Sequence, residues 1–203
     1  MQFTVFDFAT LTPSDRYKLL IGGVVPRPIG WIGTRDPEGR RNLAPYSFFN
    51  VVAGTPPTVL FSPGRREGSP KDTLANVLTT GVFTVNIVDE ALAEAMNLTS
   101  GEYDAYVDEF DLIGLEAVPG EVVDAPMVAG SPVRLECEVT QTVELDDPPT
   151  NTVVFGRVLR MHVRSDLLYG TRIDPIGLRA VGRMAGAGYT KTAPGYFEMQ
   201  RPT

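Results

Sequence analysis

VVPRPIGWIGTRDPEGRRNLAPYSFFN, residues 24–50, decides how the rest of the chain is read. Ile29 to Thr34 is short, apolar and aromatic, Asp36-Pro37-Glu38-Gly39 is a turn built on Pro and Gly, and extended character resumes from Leu43 to Val52. This pattern predicts a β-hairpin. Its second arm sets Asn42, Ser47 and Asn50 among Leu43, Tyr46, Phe48 and Phe49, and Pro45 has no N–H to give a ladder. Two readings suit that mixture: a bent edge strand broken at Pro45, or a wall that meets a polar ligand.

Working outward, PSDRYKLLI (13–21) reads as a short helix plugging one end of a sheet, with Thr12 as N-cap and Pro13 at the first helical position. Beyond the hairpin, Pro56-Pro57 forces a bend, and Thr58 to Ser62 is a strand with Val59 and Phe61 on one face. In RREGSPKDT (65–73), Ser69 is the expected N-cap, Pro70 the first helical residue and Asp72 the partner in a capping box. Leu74, Val77 and Leu78 continue at helical spacing, and Gly81 ends the helix.

From Val82 to Val88 the period switches to two, with Phe83, Val85 and Ile87 opposite Thr84 and Asn86. Asp89 is the expected cap of a helix over 90–98. Periodicity is lost over 100–131, where Tyr103, Tyr106 and Phe110 are expected to anchor a long connection. Pro132 to Leu145 alternates Val133, Leu135, Cys137 and Val139 against Arg134, Glu136, Glu138 and Thr140. After the turn at 147–151, Thr152 to Arg164 is its hairpin partner, with Phe155, Leu159, Met161 and Val163 on one face and Arg160, His162 and Arg164 on the other. Cys137 and Trp31 read as core, His162 as a surface or interface residue.

Six or seven strands joined mostly as hairpins, with short helices between them, predict a mainly β protein: a small barrel of Greek-key type forming one domain over 1–203. No strand-to-helix GxGxxG, P-loop, HExxH or GxSxG pattern occurs. With 203 residues, 43% hydrophobic and 21% charged, the chain suits a globular protein, and no apolar run approaches the roughly 20 residues of a membrane helix. A net charge of −7 argues against nucleic-acid and anionic-membrane partners. The first residues lack a basic region before an apolar core, so a cytoplasmic location is expected. One Cys and one His exclude an intramolecular disulfide, a CxxC redox pair and a His/Cys zinc cluster, so redox chemistry would be a cofactor's.

Two stretches carry ligand chemistry. The helix start near Ser69 joins free N–H groups and a positive dipole end to Thr73, Lys71, Arg65 and Arg66, which suits a phosphate or, equally, a well-capped surface helix. Asn42 to Asn50 offers backbone groups, small polar side chains and apolar surface to a flat heteroaromatic ring.

Taken together, Arg27-Pro28-Ile29, Trp31-Ile32-Gly33-Thr34, Asn42 through Asn50, Lys71-Asp72-Thr73 and Val85-Asn86 resemble the flavin reductase-like family of FMN-binding split barrels, which includes the flavoredoxins. The resemblance implies a homodimer that binds FMN near the subunit interface and reduces it with NADH or NADPH, passing electrons to an acceptor or a redox partner protein. Its alternative is a non-enzymatic, flavoredoxin-like electron carrier. It implies that Thr34, Asn42, Leu43, Ala44, Pro45, Tyr46 and Ser47 line the ring, Ser62 lies near the ribityl or phosphate, and Lys71, Asp72 and Thr73 sit at the phosphate. Asn50, Arg65, Arg66 and Arg183 are further candidates. No catalytic side chain and no metal ligand is expected. Two-component reductases of this superfamily commonly show a Gly-Asp-His-like triplet late in the chain; Gly182-Arg183-Met184 stands here, nearer to a flavoredoxin-like branch.

Overall fold

The computed structural model describes residues 1–66 and 68–202. Its frame is one antiparallel sheet of seven strands: β1 (Gly30–Arg35), β2 (Arg41–Tyr46), β3 (Phe49–Gly54), β4 (Pro57–Phe61), β5 (Val82–Ile87), β6 (Val133–Leu145) and β7 (Asn151–Val163). Their order across the sheet is β2-β1-β5-β6-β7-β4-β3. The edge strands β2 and β3 are therefore neighbours in the chain, joined only by Ser47 and Phe48. Because a residue advances the chain by at most ~3.8 Å, the two edges must meet at that link. The sheet thus curls into a barrel. Among the described residues no ladder joins β2 to β3, so the barrel is split along that seam.

The hairpin at 30–46 forms as expected, with Thr34 opposite Asn42 and Gly39 at φ +90° in its turn. Its second arm does not run unbroken to Val52. It ends at Tyr46 and restarts at Phe49 on the opposite edge, so the break falls after Pro45 rather than at it. Pro45 lies within β2, in register with Trp31, which an edge strand tolerates because one side of its backbone needs no partner.

β1 is covered on both faces, which explains its nearly continuous apolar run. Ile32 points into the barrel with Phe49, Phe61, Phe83, Leu135 and Cys137. Trp31 points outward to Leu43, Met96 and Phe110, under α3 (Ala93–Leu98) and α4 (Glu109–Leu112). Its indole N–H donates to Thr99 Oγ1 at 2.8 Å, so the buried ring keeps no orphaned donor. The Cys137 thiol is fully buried, and removal from water pushes its pKa up, leaving it inert.

α1 (Pro13–Gly23) begins as expected, with the Asp15 N–H donating to Thr12 Oγ1 at 3.1 Å. It does not plug the barrel: Ile21 alone is buried, and the inward residues Leu74 and Val77 come from α2 (Asp72–Thr80). α2 itself starts later than the capping box predicts. Ser69 and Pro70 pair with Arg65 and Arg66 in a short ribbon, and Lys71 is the N-cap, with no side-chain capping bond. Gly81 does end it, at φ +71°. α3 is also shorter than expected. Asp89 accepts the Leu92 N–H at 3.1 Å and so caps the turn that precedes it.

Register shifts at Glu136/Cys137 and Val139/Gln141 reverse the expected facing of β7 over 152–158, while Met161 and Val163 keep it, in register with Leu135 and Val133. Thr152, Val154 and Gly156 turn inward, whereas Leu159 and Met161 are half exposed. In the connection over 100–131, Phe110 is an anchor and Tyr106 is not, being 76% exposed. A ribbon of 117–119 and 126–128 lies against β1 and β5. There Asn86 accepts the Val128 N–H at 2.8 Å and donates to the Trp31 carbonyl at 3.0 Å. Gly33 is required at this crossing, since a Cβ would fall 2.2 Å from the Pro126 carbonyl.

Candidate functional site

β2 and the N-terminus of α2 border one groove at the open seam. Asn42, Ala44, Pro45 and Tyr46 line one side and Lys71, Asp72 and Thr73 the other, with Arg66, Thr99, Ser100 and Glu109 completing it. A second cleft continues from it past Pro45 and Ser100 to Ser47, Arg27, Ile29, Met96, Arg183 and Tyr189. Most of the residues singled out from the sequence are therefore brought to one continuous trough.

The polar side chains beneath the groove brace it. Asn42 Nδ2 donates to Thr73 Oγ1 at 2.8 Å and to Thr34 Oγ1 at 3.3 Å, and Asn76 Nδ2 donates to the same Thr34 oxygen at 3.0 Å. All four residues are buried, so this network locks β1, β2 and α2 into one geometry. Thr34 and Leu43 are fully buried and lie behind the wall. Asn50 is exposed on β3, its Oδ1 accepting the Val51 N–H at 2.8 Å, and Ser62 lies beside Phe48 with its N–H on that carbonyl. Neither borders the trough. Arg65 is tied to Glu144, while Arg66 reaches the groove.

Two titrating groups shape the electrostatics. Removal from water raises the Tyr46 phenol to about 12, against the opposing effect of the Thr73 hydroxyl, so it stays a neutral O–H donor. Burial likewise pushes the Glu109 carboxyl up to about 7, although it accepts the Leu43 N–H at 2.9 Å. Sequence reasoning missed Glu109, which sits in an acidic run like any solvated one. It also left Arg27 unassigned, although an Arg between Pro residues in an apolar run was a signal. Tyr17, Met96, Ser100 and Tyr189 carried no local signal for this cleft.

The arrangement offers a β-edge with free backbone groups, a helix N-terminus without a side-chain cap, a Lys at that terminus, and an adjoining apolar cleft. Such groups have the chemistry to hold a flat ring carrying a phosphate. The model of the "Flavin reductase like domain" family matches residues 22–175. An uncharacterized protein of Deinococcus radiodurans is 42% identical over 212 residues, covering 100% of this chain and 92% of that one. The crystal structure of nitrilotriacetate monooxygenase component B from Bacillus cereus superposes with a TM-score of 0.92 at 33% identity, covering 100% of both chains. That of 2-nitrobenzoate 2-nitroreductase NbaA from Pseudomonas fluorescens gives 0.90 at 29% identity, covering 98% of this chain and 97% of that one.

Proposed function

This chain belongs to the flavin reductase like domain family, and on that footing we propose that it is an FMN-binding oxidoreductase that takes electrons from NADH or NADPH and passes them to an acceptor. The observation that carries this reading is the trough in which edge strand β2 faces the N-terminus of α2. Its residues fit FMN. The first-turn N–H groups of α2, which no side chain caps, and the Lys71 ammonium would hold the phosphate. The outward backbone groups of Ala44 to Ser47 would meet the polar edge of the ring, and the Tyr46 phenol, neutral at pH 7, is a further donor. Asn42 Nδ2 braces the wall by donating to Thr34 and Thr73, and Asn42 and Thr73 also line the groove. Ile29 and Met96 keep the adjoining cleft partly dry. When bound, FMN supplies the hydride and electron transfer, so no side-chain general base is needed.

Lys71→Ala is expected to weaken FMN by about 10- to 100-fold and riboflavin by less than about twofold, because only FMN has the phosphate. Equal losses for both would place the phosphate elsewhere. The visible spectrum after FMN is added tests the cofactor, and steady-state oxidation of NADH or NADPH with free flavin tests the enzyme. A chain that binds FMN but shows only slow, stoichiometric reduction is instead an electron carrier, a reading that Gly182-Arg183-Met184 favours.

A further inference from the structure

Arg27 carries a buried charge that no carboxylate among the described residues answers. The residue is 7% exposed. Its Nη1 donates to the carbonyls of Ile21 at 2.7 Å and Val24 at 2.9 Å, its Nη2 to that of Met184 at 3.2 Å, and its Nε to Ser47 Oγ at 3.3 Å. These neutral partners satisfy its hydrogens and leave a positive charge withdrawn from water. By contrast, Arg35, Arg41 and Arg65 each have an acidic partner. The backbone of Arg27 exchanges two hydrogen bonds with that of Arg183, of 3.0 and 2.8 Å, which brings both guanidinium groups to the same cleft. Arg183 lies 4.5 Å over the Tyr189 ring and spends one hydrogen bond within the chain, on the Gly186 carbonyl. Neither arginine has an ion pair among the described residues.

Two unanswered cations in one cleft of a chain with net charge −7 favour an anion between them. The rest of the cleft says what kind. It is an open cleft of about 290 Å³, room for a substituted benzene ring. Ile29 and Met96 offer it apolar wall, and Tyr17 and Tyr189 offer aromatic surface. We propose that this cleft is the second-reactant subsite and that it takes a small aromatic carboxylate, with the Arg183 fork on the carboxylate and Arg27 as a positioning residue. The proposal rests on the flavin reading, since the cleft shares Pro45 and Ser100 with the groove given to FMN.

The test titrates the full chain, saturated with FMN, with 4-hydroxybenzoate and with the uncharged 4-hydroxybenzamide, by flavin absorbance and calorimetry. The acid is expected to bind at least about tenfold more tightly. Arg183→Gln should abolish that preference and Arg183→Lys should keep part of it, with FMN affinity changed by less than about threefold. Equal binding of acid and amide overturns the proposal. So does displacement of the acid by inorganic phosphate or ADP at equal concentration, which would make this a general anion or nucleotide site. Loss of FMN and acid by the same factor in both variants also overturns it, assigning Arg183 to the cofactor. A chain that takes up no FMN overturns the flavin reading and the second-reactant role with it, and the acid-over-amide comparison on that same FMN-free chain still decides the subsite.

Discussion

Glu109 and Arg27 show how much a single buried charge decides. In the folded chain Glu109 titrates at about 7, well above an ordinary carboxyl, so between about 4.5 and 7 the native state binds more protons than the unfolded one. Stability contributed by this group is whole below that window and lost as pH rises through 7, amounting to about 3 kcal/mol in the limit. Urea midpoints should therefore fall between pH 5.5 and pH 8, and Glu109→Gln should flatten the dependence. An ionised Glu109 in the polar groove also repels a phosphate, so FMN affinity should weaken over the same range in the wild type and less in the variant. Arg27→Met orphans the carbonyls of Ile21, Val24 and Met184 and should cost about 2–4 kcal/mol by chemical denaturation. For Arg27 the sequence held a signal, an Arg between Pro residues in an apolar run, and for Glu109 it held none. Glu109 stands in an acidic run, and only the packing of α4 on β2 brings its carboxyl under the Leu43 N–H.

Between elements, the decisive events are a break and a clasp. The break at Ser47 and Phe48 sends β3 to the far edge of the sheet and leaves the β2 edge free beside α2, which is what makes a groove. The clasp is Glu136, fully buried on β6, whose Oε2 accepts the N–H groups of Val122 at 2.7 Å and Val123 at 3.0 Å while Oε1 meets His162 Nε2 at 2.7 Å. Burial alone would raise this carboxyl, but those donors outweigh it and hold it below the usual range. Its contribution is present at neutral pH and lost as pH falls through the depressed value. Glu136→Gln should lower stability by about 2 kcal/mol and speed amide exchange at Val122 and Val123 by at least about tenfold. Unchanged exchange there would deny the clasp. The alternation of β6 correctly set Glu136 on the face opposite Leu135 and Cys137, but that the backbone at Val122 and Val123 covers this face was not legible from the period.

At the scale of the molecule, apolar surface remains uncovered around the seam and the cleft. Phe3, Val5, Phe6 and Phe8 are exposed near the N-terminus, as are Tyr17, Leu20 and Val24 of α1 and its end, and Phe48 and Val51 at the seam. A chain with this much exposed apolar surface is expected to associate, and a homodimer burying it is the expected state. Sedimentation or light scattering should give twice the chain mass; a monomer at all concentrations overturns this. No helix among the described residues is long and apolar enough to cross a membrane.

The sequence by itself determined the hairpins of β1 with β2 and of β6 with β7, the turn at Gly39 and the helix end at Gly81, because period and local backbone chemistry act within a few residues. It also held the short motifs that mark the family. Only the tertiary structure decided that β2 and β3 stand at opposite edges, that Thr34 is buried behind the wall that Asn42 helps to line, and that Arg27 is buried with no counter-ion among the described residues. Those outcomes depend on closing the sheet and on what packs against each face, a balance of burial and pairing between residues far apart in the chain.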